Sequence, residues 1–184
     1  MKRLYKNLIV SIAIFFFICF LVICFINKGE GKVLCNEVED GYEIVLYDSW
    51  RSVVDTTWSP VEPGIHDVTD ELVEIVISVG SPARYIFYFD KRNNRVSDTF
   101  FNPILVDNRY VAYMEVEPEE GIIIKDLFDE SKFYKKIVRD FSSGTVMFFD
   151  STVSIEVLNK NDFLVEYLMG EDYEVVKEVI PMND

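Results

Sequence analysis

Tyr85-Ile86-Phe87-Tyr88-Phe89-Asp90 is a run of large apolar and aromatic side chains closed by a carboxylate. Three more stretches follow the same plan: Ile44-Val45-Leu46-Tyr47-Asp48, Tyr110-Val111-Ala112-Tyr113-Met114-Glu115 and Leu164-Val165-Glu166-Tyr167. β-Branched and aromatic side chains suit a pleated, half-buried backbone, and runs of four to nine such residues between polar breaks read as strands. Working outward, the signature recurs at Leu72–Val79, Gly121–Leu127, Phe133–Phe141, Val146–Phe149, Thr152–Leu158 and Tyr173–Ile180. Ser49–Ser52, Lys91–Arg95, Glu117–Gly121 and Gly170–Asp172 have the composition of hairpin reversals. A short helix is expected over Asp67–Val73, where Asp67 and Thr69 are possible N-caps. Pro60 and Pro63-Gly64 make Ser59–Asp67 a loop. The expectation is an all-β domain of antiparallel hairpins over 42–184, a sandwich or an incomplete propeller-like array. Its core should hold Ile44, Leu46, Ile86, Tyr88, Val111, Tyr113, Ile123, Leu164 and Val165.

Before that domain the pattern changes. Leu8–Ile26 reads LIVSIAIFFFICFLVICFI, without a charge. Nineteen helical residues at ~1.5 Å each span about 28 Å, close to the ~30 Å hydrocarbon core of a bilayer. The run exceeds the apolar region of a cleaved signal peptide and lacks a small-x-small site at its end. Lys2, Arg3 and Lys6 precede it, so the reading is a cytoplasmic N-terminus (1–7), a single transmembrane anchor helix (8–26), a tether (27–41) and an extracytoplasmic domain (42–184). The lipid bilayer is then one partner.

Charge separates the two parts. The chain carries −14 in all; residues 1–33 hold five Lys/Arg against Glu30, and the rest holds thirteen Lys/Arg against thirty-one Asp/Glu, a net of −18. Such a domain disfavours nucleic acid and an anionic lipid surface, and favours a basic protein. Cys19 and Cys24 fall in the apolar run, so Cys35 has no intramolecular disulfide partner outside it.

Ser81-Pro82-Ala83-Arg84-Tyr85-Ile86-Phe87-Tyr88 and Asp107-Asn108-Arg109-Tyr110-Val111-Ala112-Tyr113, running on to Gly121-Ile122-Ile123-Ile124-Lys125-Asp126, resemble blades of TolB-type β-propellers. The likeness covers residues 81–130. It implies a Ser-Pro turn opening each blade, and Ala83 stands where those blades carry Asp-Gly. Propeller-like strands imply no particular activity.

Catalytic signatures are scarce. His66 is the single histidine; with Ser59 and Asp67 it offers the residue types of a hydrolase triad, but no Gly-x-Ser-x-Gly elbow is present. One histidine and one exported cysteine cannot build a zinc site. Asp126, Asp129 and Glu130 are hard oxygen donors in a turn, the chemistry of a weak Ca²⁺ site, though without an Asp-x-Asp-x-Asp-Gly loop. No cofactor motif is found. Trp50 and Trp58 lie among Ser, Arg, Asp and Thr, where an exposed ring can anchor a protein or stack on a sugar. The leading expectation is a membrane-anchored, non-enzymatic protein-binding module; the alternatives are a carbohydrate or cell-wall binder and, behind it, a hydrolase.

Overall fold

The structure, a computed structural model, describes residues 30–129, 133–159 and 162–181. Among them the strands fall into four sheets, taken in chain order. The first comprises β1 (Lys32–Val38), β2 (Gly41–Tyr47) and β3 (Val53–Ser59). The second comprises β4 (Gly64–Asp67), β5 (Leu72–Gly80), β6 (Ala83–Asp90) and β7 (Arg95–Val96), with β8 (Phe100–Phe101) also on β6. The third comprises β9 (Ile104–Val106), β10 (Tyr110–Glu115), β11 (Gly121–Asp126) and β12 (Phe133–Ile137). Two short helices, α1 (Ser143–Met147) and α2 (Phe149–Thr152), lead to the fourth sheet, β13 (Ser154–Asn159), β14 (Asp162–Met169) and β15 (Glu174–Pro181). Every pairing is antiparallel and no strand leaves its own sheet, so the fold is all-β.

Alternation along the strands decides how the sheets stack. Ile44 and Leu46 of the first sheet meet Val73, Ile75, Phe87 and Phe89 of the second. The opposite face of the second sheet presents Leu72, Ile86, Tyr88 and Phe100 to Val111 and Leu127. The other face of the third sheet packs Tyr110, Ala112, Ile122 and Ile124 against Phe163, Val165, Tyr167 and Ile180 of the fourth. The two middle sheets are thus buried on both faces, which explains their near-continuous apolar strands.

Several elements differ from the sequence reading. β1 begins at Lys32, inside the stretch read as a tether, because strand pairing needs little burial: only Val33 in β1 is better than exposed. Val146–Phe149, read as a strand, lies across α1 and α2. Ser142 starts the turn there by accepting the Thr145 N–H at 3.1 Å, and Thr145 Oγ1 donates to the Leu168 carbonyl at 2.8 Å. No helix forms at Asp67–Val73. Thr69 Oγ1 accepts the N–H groups of Glu71 and Leu72, and the local bond closes a turn between β4 and β5. Part of the expected Ser59–Asp67 loop is β4. Of the expected core, Ile44, Leu46, Ile86, Tyr88, Val111, Ile123 and Val165 are buried; Tyr113 and Leu164 are half-buried. Leu164 faces away from the core side that Phe163 and Val165 share.

Among the described residues no helix is long and apolar enough to cross a membrane, and the 8–26 run lies outside them.

Candidate binding surface

The register of the first sheet sets out its outer face row by row. Lys32, Tyr47 and Val53 share one row; Leu34, Val45 and Thr56 the next; Asn36, Glu43 and Trp58 a third. The inner-face residues between them, Ile44 and Leu46, are fully covered by the second sheet. The outer face is open around a covered centre, where Val45 is buried. Leu34 is 47%, Val53 58% and Trp58 54% exposed. Large apolar side chains left open on one face mark an interaction surface more often than an accident of packing.

Trp58 lies at the end of the sheet formed by the β1–β2 turn. A Cβ on Gly41 would come within 3.1 Å of the indole and 2.4 Å of the Ser59 carbonyl, and Gly41 has φ of +151°. Glycine is therefore required here both by conformation and by the close approach of the ring and backbone. Around the same turn stand Glu37, Glu39, Asp40 and Glu43, with Glu62 beyond β3. None of the five carboxylates makes an ion pair. Their field is felt locally: burial, then Glu62 and Glu37, raises the Tyr42 phenol, and burial, then Glu62, raises the exposed Cys35 thiol.

Trp50 lies at the opposite end, in the turn from β2 to β3. Asp48 Oδ1 accepts the N–H groups of Trp50 at 2.8 Å and Ser52 at 2.7 Å, and Arg51 adopts a left-handed φ of 64°. The turn is fixed while the indole projects, 67% exposed. From Val53 to Trp58 the strand advances about 17 Å at ~3.4 Å per residue, so the two tryptophans are separate sites and not one stacking platform.

The remaining candidates do not assemble a catalytic group. His66 and Asp67 are successive residues of β4 and so point to opposite faces. Asp67 pairs with Lys91 at 3.1 Å, while the buried Ser59 hydroxyl donates to the Val61 carbonyl at 2.6 Å. The Asp126 carboxylate accepts the Phe128 N–H and lies 3.6 Å from Arg109 Nε. Glu130 lies outside the described residues, and among those described no group of three His, Cys, Asp or Glu is placed to hold a metal. The Lys91–Arg95 cluster is spent on neighbours: Lys91 on Asp67, Arg92 on Glu71 and Arg95 on Asp90. Burial pushes the Asp90 carboxyl up, but hydrogen bonds from Asn93 and Arg95 outweigh it and hold it below its ordinary value. That is the behaviour of a hairpin-tip staple. The nearby hollow of about 380 Å³ between the second and third sheets carries these same matched charges.

No family model and no curated protein matches this chain. The functional reading therefore rests on the surface itself. Both tryptophans stand out in the sequence, whereas Leu34, Lys32 and Arg51 do not. Their placement depends on β1, whose polar composition hides it.

Proposed function

We propose that this chain is a membrane-anchored, extracytoplasmic binding module that engages a basic protein through the Trp58 end of its first sheet. The observation that carries the reading is an exposed indole on the outer face of the first sheet, at an end that carries five carboxylates without ion-pair partners. An apolar anchor with an unneutralised acidic rim is complementary to a basic partner, with the ring supplying affinity and the rim steering encounter. The uncharged Leu8–Ile26 run behind Lys2, Arg3 and Lys6 supports the anchor and its orientation. Four sequential meanders separated by three distinct cores support a propeller-like array over a two-sheet sandwich, which would have a single core.

Affinity capture from detergent extracts at low and high salt tests this. Wild type and Trp50→Ala should retain a basic protein at low salt and release it at high salt, and Trp58→Ala should fail to retain it. Recovery of no salt-sensitive protein, or retention by Trp58→Ala equal to wild type, contradicts the proposal. Glycan-array binding lost on Trp58→Ala would instead favour the carbohydrate reading.

A further inference from the structure

We propose that the Trp50 end of the first sheet is a docking site for phospholipid headgroups, seating the domain on the bilayer from which it emerges. The inference rests on the anchor reading above. Lys32 opens β1 opposite Tyr47, which closes β2, so the Trp50 turn lies at the end of the sheet where the chain arrives from residues 1–29. Gly31 is already fixed there, its N–H donating to the Lys91 carbonyl at 3.3 Å. From Ile26 to Glu30 the backbone can reach no more than about 14 Å. An anchor ending at Ile26 thus holds this end of the domain within headgroup range and leaves the Trp58 end further out.

The chemistry of this end fits that position. A hollow of about 620 Å³ is lined by Lys32 and Arg51, with Leu34 and Tyr47 beside them. Among the Lys and Arg residues whose side chains are described, Lys32 and Arg51 alone make no ion pair; every other one is matched to a carboxylate. In a domain this acidic, two unmatched cations on one hollow are a site for anionic oxygen. Ser49 Oγ, in the same lining, is buried without a hydrogen-bond partner. Of the two carboxylates present, Asp48 is committed to the Trp50 and Ser52 N–H groups, and Glu30 is left to face a headgroup ammonium. The projecting Trp50 completes the set, since an indole is stable at the boundary between headgroups and acyl chains. Phosphate oxygens of the bilayer satisfy Lys32, Arg51 and Ser49 while Trp50 enters the interface.

The test uses the full chain in vesicles of phosphatidylcholine, with brominated acyl chains as quencher. Trp58→Phe leaves Trp50 as reporter, and Trp50→Phe leaves Trp58. Trp50 emission should be quenched roughly twofold more than Trp58 emission. Lys32→Gln with Arg51→Gln, both at exposed positions, should reduce that difference while the far-ultraviolet circular dichroism stays that of wild type. Equal quenching of the two indoles in a chain that floats with the vesicles overturns the docking site and leaves the anchor standing. A chain that does not float with them removes the anchor, and the docking site with it.

Discussion

The two ends of the first sheet share three strands, one buried face and one exposed tryptophan each, yet they differ in charge. The Trp58 end carries Glu37, Glu39, Asp40 and Glu43 about the β1–β2 turn and Glu62 beyond β3, none of them in an ion pair. The β2–β3 turn, which carries Trp50, and the start of β1 set Lys32 and Arg51, neither in an ion pair, on one hollow with Glu30 and Asp48. The third sheet shows what this is not. There Lys125 pairs with Asp98 and Lys136 with Glu115, each at 2.6 Å, so charges meet and cancel within the domain. The unpaired charge of the first sheet is left over for something outside the domain, and its two ends call for two different neighbours.

The largest change expected breaks both ends at once. Leu46 is buried beneath the sheet between them, and Leu46→Ala should cost about 2–5 kcal/mol through lost burial and the cavity left behind. Urea denaturation would measure it, and both tryptophans should redshift together. Gly41→Ala should break one end only. Its φ and the approach of the Ser59 carbonyl give an expected cost of about 1–3 kcal/mol, with Trp58 emission altered and Trp50 emission kept. A mutant in which Trp50 changes as much as Trp58 would mean that the two ends are not independent.

Smaller effects sharpen the comparison. Glu39→Lys with Glu43→Lys reverses charge at the Trp58 end and should slow association with a basic partner by about tenfold at low salt, the difference shrinking as salt rises. The smallest effect concerns Cys35. Glu62 helps hold its thiol above the ordinary value, so less thiolate is present at a given pH below that point. Glu62→Gln lowers the thiol pKa and should speed alkylation at mildly alkaline pH by up to about twofold in a Cys19→Ser/Cys24→Ser background. An unchanged rate would show that the acidic end does not act on its own strands.

Much of this fold was legible because burial alternates where the strands are made. β14 presents Phe163, Val165 and Tyr167 inward, and β10, β11 and β6 are so apolar that only strands covered on both faces can hold them. β1 and β3 were harder for the opposite reason. Most of their side chains are exposed, and polar pairs such as Asn36 with Glu43 carry no periodic signal. Val146–Phe149 misled because β-branched and aromatic composition was outvoted by the Ser142 cap and by Thr145 bonding into β14. For the surface, the tryptophans stood out by their polar surroundings. Their separation to opposite ends did not, since it depends on pairing Lys32 with Tyr47 and Glu43 with Trp58.

Photocrosslinking in intact cells tests the division between the two ends most directly. Benzoylphenylalanine placed at position 50 or at position 58 of the full chain reports what each end touches. Lipid adducts are expected from position 50 and a single basic protein adduct from position 58. Lipid adducts from position 58, or the same protein captured from both positions, would contradict that division.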